Sequence, residues 1–355
     1  MQQPLPPFSV SCSPNIPELL HDLRISLVLS TYQAGKIVLL SAPVRDKLMQ
    51  LPRTYPNAMG ITVDNDRMAI AANSEITVLS NSKQLAYTYP EKPNVYDAMY
   101  LPRASYFTGE LAWHDMAWVN NKLIATNTMF SCLSHIDDEY SFKPFWKPHF
   151  ITELAPEDRC HLNGIAVNNN KVEYVTALGN SNLPAGWREN KMNGGILMDV
   201  EKNSILTDNL AMPHSPRVYD DKLYLLNSAM GELLAVDRST GNTELISKLG
   251  AFARGMDKFG DYLFVGVSKL RHNSSAFRDL PIAKTSFAGV IVIHLPMKAI
   301  VGQIKYETSV EEIYEVKVLP GCVRPNILNQ DKELHKQALH LENSTYWGKI
   351  KEKNN

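Results

Sequence analysis

The chain has 355 residues, of which 44% are hydrophobic and 21% charged, and its formal net charge is -1. That balance is ordinary for a globular protein and gives a nucleic-acid or anionic-membrane partner little electrostatic support. No apolar run approaches the roughly 20 residues needed to cross a bilayer, and the four cysteines (Cys12, Cys132, Cys160, Cys322) lack CxxC spacing, which argues against a disulfide framework or structural zinc and fits a reducing cytoplasm.

Residues 1–20 form a Pro-rich lead without the basic and apolar regions of a signal peptide. The segment ISLVLSTYQAGKIVLLSA, from Ile25, then supplies two strands. After it, a small polar cluster opens a strand-and-turn unit six times. The clusters are Asn57-Ala58-Met59-Gly60, Trp113-His114-Asp115, His161-Leu162-Asn163-Gly164, His214-Ser215-Pro216-Arg217, Ala253-Arg254-Gly255 and Val310-Glu311-Glu312. Steps from Ile61 to Met116, Ile165, Arg217, Met256 and Ile313 are 55, 49, 52, 39 and 57 residues, roughly the length of a propeller blade. Asn120-Asn121, Asn168-Asn169-Asn170, Asp220-Asp221 and Gly260-Asp261 suit tight hairpins needing positive φ. Third strands follow at Gly195, Leu233 and Gly289, so each unit offers about four strands.

The spacing predicts an all-β fold: one six-bladed β-propeller over residues 21–329, closed by N-terminal strands joining the C-terminal blade. Closure removes the exposed sheet edges of an open array. A short helix and a basic tail are expected over 330–355.

In a propeller the loops entering the innermost strands share one face, so the six clusters should converge on the central channel. His114, His161 and His214, with Glu311 and Glu312, are then candidate ligands of a divalent metal (zinc, iron or manganese) with one position open to water or substrate. Bound water would become more acidic and a substrate carbonyl would be polarised. His161 is also a candidate base, and Asp115 a carboxylate able to orient an imidazole. Arg254 and Arg217 face the same channel and suit an acid group on the substrate. The alternative is structural: histidines capping turns, arginines bridging blades. Rim candidates for substrate contact are Arg103, Asn163, Asn227, Trp187 and Arg188, with Asn73, Asn127 and Asn180 in equivalent loops. Two long loops, from Asn180 and from Lys269 (with Arg271, His272, Phe277 and Arg278), have the length of lids or binding loops. Cys160 and His161 are neighbours on a strand and should point apart. No GxGxxG, P-loop or GxSxG motif is present, which disfavours dinucleotide binding, P-loop hydrolysis and a serine-hydrolase elbow.

The motifs TGELAWHDMAW, HLNGIAV, TALGNSN, GWRENK, MPHSPR, ARG and VEEIYEVKVLPG, with STYQAGK near Ser30, resemble a bacterial family of conserved hypothetical proteins. That group is a domain-of-unknown-function family with propeller-like architecture. The resemblance runs from about Leu27 to about Pro325, and it implies the fold but no activity. More loosely, the chain resembles channel-metal propellers of the senescence-marker lactonase and streptogramin-lyase types. These imply a hydrolase or lyase, although the lactonase Glu/Asn/Asp ligand pattern is absent. The leading expectation is therefore a cytoplasmic metal-dependent hydrolase or lyase acting on a small or peptide-like acidic substrate at the channel mouth. The rival is a non-catalytic propeller binding a peptide or protein partner on that face, its contact surface formed by the loops around Trp187 and Phe277.

Overall fold

The alternation of apolar residues with tight polar turns makes each unit a four-stranded antiparallel sheet, and six such sheets surround a central axis. The computed structural model describes residues 5–270, 280, 282 and 284–349. Blades one to five begin with the inner strands Ala58–Asp64, Trp113–Val119, Leu162–Asn168, Pro213–Tyr219 and Phe252–Phe259, each followed outward by the next three strands of the chain. Blade six is composite. Its inner strand is Glu315–Pro320, and its outer strands Ile25–Thr31, Lys36–Val44 and Lys47–Thr54 come from the N-terminal part of the chain. Ile25 faces Pro320 and Ser30 faces Glu315, so the expected closure holds.

The hairpin turns follow their sequences. Asn120-Asn121, Asn169-Asn170 and Asp220-Asp221 have positive φ at both residues, the conformation that matches strand twist. Between blades, apolar side chains from facing sheets interdigitate: Val28 and Leu39 meet Ile61, Ile70 and Leu79, and Ile124 and Leu133 meet Ile165, Val175 and Met198. Each fully buried side chain of this kind contributes about 1.5–3 kcal/mol.

The ends depart from expectation in two respects. The N-terminal lead is built into the ring: Val10–Cys12 adds a strand to the edge of blade five, and Ile16 and Leu20 of the helix Ile16–Leu23 join the core of blades five and six. At the C-terminal end, Pro325–Ile327 pairs in parallel with the outer strand of blade one. The expected C-terminal helix is a 3-10 turn, Glu333–Gln337, followed by the hairpin Ala338–His340 and Thr345–Trp347. Trp347 packs 5.8 Å from Tyr89, so aromatic burial fixes this segment where helix propensity does not. Residues 350–355, and Arg271, His272, Phe277 and Arg278, lie outside the described residues.

One extra residue interrupts the period of each inner strand in blades one to five. In blade one, Ala58 faces Ala72 but Ile61 faces Ile70; the same slip occurs between Trp113 and Met116, Leu162 and Gly164, His214 and Arg217, and Ala253 and Met256. These β-bulges are the polar clusters of the sequence, because a bulge re-aims side chains that strict alternation would bury. Backbones crowd together there. Gly255 has φ +71°, and a Cβ on it would lie 2.5 Å from Glu315 Cα and 2.6 Å from Val316 N. Gly260, at φ +55° in a hairpin, has nothing within 4 Å of its Cβ position. Urea unfolding should therefore separate two substitutions: Gly260→Ala costs about 1–2 kcal/mol for left-handed backbone alone, whereas Gly255→Ala costs about 3 kcal/mol or more because two inner strands must move apart. Equal costs would contradict the crowding argument.

Candidate functional site

Strand register places the residues around each bulge in two layers about the axis. The upper layer holds Met59, His114, Asn163, His214, Arg254 and Tyr314; the lower holds Gly60, Asp115, Gly164, Ser215, Gly255 and Glu315. Blade six falls into line because Glu315 accepts from the next residue's N–H as Asp115 does, at 3.1 and 3.0 Å. Neighbouring residues of one strand point oppositely, which is how a single cluster can furnish both layers.

The lower layer is a plug. Arg217 Nη1 donates to Asp115 Oδ2 at 2.7 Å and Nη2 to Asp115 Oδ1 at 3.1 Å, a bidentate pair across blades four and two. Nη2 also donates to Glu315 Oε2 at 3.2 Å, and Nη1 to the Ile165 carbonyl at 2.7 Å. Lys317 Nζ lies 3.5 Å from Glu315 Oε1. Burial works against the Arg217 charge, but the Asp115 and Glu315 carboxylates outweigh it and hold its pKa above the usual range. Burial pushes the Glu315 carboxyl up to about 7 against the pull of Lys317 and Arg217.

Above the plug stands a collar of rings. Trp187 lies 4.5 Å from His161, His161 4.7 Å from His114, and His114 5.2 Å from Tyr314, measured between ring centroids. The Arg254 guanidinium sits 4.4 Å above Tyr314 and 5.3 Å from Phe252, which is 5.7 Å from His214. Blades two to six all contribute. Arg254 Nη2 also pairs with Glu312.

The hydrogen bonds fix the imidazole tautomers. His114 Nδ1 lies 2.8 Å from the Ala112 carbonyl and His214 Nδ1 2.9 Å from the Met212 carbonyl. A carbonyl only accepts, so each Nδ1 carries the proton and each Nε2 a lone pair. The Thr128 and Ser228 hydroxyls beside these rings spend their own hydrogens on the carbonyls of Leu162 and Ala253, both at 2.6 Å. His161 Nδ1 is held by Asp158 at 2.8 Å, and Asp158 also accepts from Trp187 Nε1 at 3.0 Å. Burial, then neighbouring cationic groups, depresses the pKa of His114 and His214 well below the ordinary histidine value. Among the described residues, two donors in the collar, Arg254 Nε–H and Tyr314 O–H, are buried and meet no acceptor.

The candidates read from sequence separate accordingly. His114, His161, His214 and Arg254 meet in the collar. Asp115 and Arg217 do not face a ligand; they are each other's partners in the plug. The carboxylate orienting an imidazole is Asp158, on His161, and Asp115 does not serve His114. His161 itself precedes its strand at φ +54°, and the residue equivalent to His114 in blade three is Asn163. Asn163 is spent on Pro213 O and Thr176 Oγ1, and Asn227 on Ala211 N and Glu232. Arg103 is exposed on the outer strand of blade one, and Arg188 lies exposed over Trp187. Trp187 is buried as a support for Asp158, not an open lid. Glu311 is exposed beside Lys269, and Glu312 is taken by Arg254. The expected ligand set is thus not gathered: among the described residues no three His, Cys, Asp or Glu side chains are placed to hold a metal ion. Cys160 is buried with its thiol pushed up to about 12, and neither it nor His161 lies in the strand that begins at Leu162. Asp158, Tyr314 and Phe252 went unread; DRCH, with Asp158 three residues before His161, was the one local signal available.

The family described as domain of unknown function (DUF4915) matches residues 14–328, and the chain belongs to it. No curated protein matches the sequence. Among solved structures, one titled "Crystal structure of Nidogen/Laminin Complex" is similar in fold, with a TM-score of 0.54 at 13% identity, covering 84% of this chain and 99% of that one. No helix among the described residues is long and apolar enough to cross a membrane.

Two stability experiments follow from the layers. Arg217→Met strands the Asp115 carboxylate, which is only 2% exposed, and should lower unfolding free energy by about 3–5 kcal/mol in urea titrations. Adding Asp115→Asn should restore part of that loss, and strict additivity of the two would contradict the pairing. For His114 and His214 the folded pKa lies below the unfolded value, so their contribution is intact above about pH 6.5 and is lost as pH falls, because the unfolded chain takes up protons first. Glu315, raised by burial, acts in the opposite sense and is common to both proteins compared. The stability lost between pH 7.5 and 5.5 should be smaller by about 2–3 kcal/mol in a His114→Asn, His214→Asn variant than in the parent chain.

Proposed function

We propose that this member of the DUF4915 family holds a small ligand bearing an acid or carbonyl oxygen in the cup above the plug, and that His161 serves there as a proton acceptor. The observation that carries this reading is a pair of buried donors that meet no acceptor among the described residues, Arg254 Nε–H and Tyr314 O–H, set among imidazoles whose Nε2 atoms carry lone pairs. Each unpaired buried donor costs about 1–3 kcal/mol, which a ligand oxygen would relieve. Asp158 fixes the His161 tautomer and stabilises the imidazolium formed when Nε2 takes a proton, the arrangement of a general base. Hydrolysis or elimination is the chemistry such a base suits. Because Arg217 and its partners fill the axis below, the ligand enters and leaves by one mouth. The reading requires no metal ion.

A second reading, a peptide or protein partner on this face, is favoured by Leu154 and Leu183. They are 39% and 63% exposed, on loops stitched by Thr152–Asn182 and Arg159–Asn182 hydrogen bonds next to Trp187. Thermal-shift measurement against short carboxylic acids and their esters tests the first reading. Acids should raise the melting temperature of the parent chain, with or without chelator, and should lose that effect in Arg254→Leu and Tyr314→Phe. Shifts retained in both variants would move the site elsewhere on the molecule. Shifts abolished by chelator and restored by zinc, iron or manganese would favour a metal-bound form.

A further inference from the structure

We infer that the ligand of this cup is a polyhydroxylated acid, with one carboxyl or carbonyl group and several neighbouring hydroxyls; the inference rests on the reading of the cup as a ligand site. The argument begins with acceptors. His114 and His214 must each spend Nδ1–H on a carbonyl, and the Thr128 and Ser228 hydroxyls cannot reverse this, since their hydrogens go to Leu162 O and Ala253 O. His161 likewise donates Nδ1–H to Asp158. The collar therefore presents three imidazole lone pairs, and a ligand must bring the hydrogens. Burial keeps His114 and His214 uncharged, so they remain acceptors at neutral pH.

The spacing then selects among donors. A metal ion or a single ammonium group wants its acceptors gathered at one point, and no three His, Cys, Asp or Glu side chains among the described residues are so gathered. His114 and His161 are close at 4.7 Å, whereas the ring contacts that link His214 to them run through Phe252, Arg254 and Tyr314. Separate acceptors strung along a ring suit separate donors strung along a chain, and consecutive hydroxyls are such a chain. A cationic ligand would also meet the Arg254 guanidinium. The acid or carbonyl end instead finds Arg254 Nε–H and Tyr314 O–H. Rejection of unhydroxylated analogues should be strong, because each would leave buried lone pairs unmatched.

Isothermal titration calorimetry of the full chain against C4 to C6 aldonates, glucose, hexanoate and 1,5-diaminopentane tests this. At least one aldonate should bind ten-fold or more tightly than hexanoate and glucose. His214→Phe should erase the advantage over hexanoate, and His214→Asn serves if the larger ring prevents folding. The imidazole Nε2 resonances of 15N-labelled histidine should shift on aldonate addition. If hexanoate matches the best aldonate, the hydroxyl inference fails and the cup reading stands; if the diamine binds tightest, both fail. If every compound binds the Arg254→Leu variant as it binds the parent, or none binds either, the cup reading fails with it.

Discussion

One guanidinium holds the ring together. Arg217 leaves blade four, crosses the axis to a carboxylate of blade two, touches a carbonyl of blade three and reaches the inner strand of blade six. Adjacent blades are already glued by apolar side chains, but those contacts run round the ring and constrain each blade only against its neighbours. A bond across the axis ties blades two, four and six, which are not neighbours in the ring. A charge buried here is tolerable only because every partner is in place: Asp115 receives two N–H bonds from the guanidinium and others from the Met116 and Ile165 amides. The network fills the axis below the collar.

The small residues of the lower layer are the other side of the same constraint. Gly60, Gly164 and Gly255 lie where inner strands crowd: a Cβ at Gly60 would come within 3.0 Å of Trp113 O, one at Gly164 within 2.4 Å of Pro216 Cδ and 2.5 Å of Thr176 Oγ1, and one at Gly255 within 2.5 Å of Glu315 Cα. This explains why glycine recurs in the sequence clusters without any turn to require it.

Much of the scaffold was legible in the sequence because it is local. Paired Asn and Asp residues demand positive φ, apolar alternation demands strands, and a repeat that begins two strands early demands closure by the N-terminal strands. The site was legible only in part, for a physical reason. The polar residues do not stand at one fixed distance from the bulge, so aligning the clusters by them put His161 two positions before Asn163, and Glu311 and Glu312 three before Tyr314 and Glu315. The Asp115–Arg217 pair spans 102 residues with nothing local to announce it. Metal ligation was expected because histidine, acid and open channel coincide in the chain; in three dimensions Arg254 takes Glu312, and among the described residues no three His, Cys, Asp or Glu side chains gather at one point.

The collar is asymmetric. His114 and His214 each stand 14 residues before a hydroxyl that latches onto the next blade, Thr128 and Ser228. Arg254 holds the same place before Ser268, whose hydroxyl donates to Ile313 O at 3.0 Å. The latch is structural and repeats; the residue above it does not. With histidine at two of these places and arginine at the third, the same backbone offers lone pairs on one side and donors on the other. Asp158 then adds what the repeat cannot provide, an anion behind an imidazole that lies outside the register. A symmetrical ring of the same residues would bind a symmetrical ion, whereas this one distinguishes the two ends of whatever enters it.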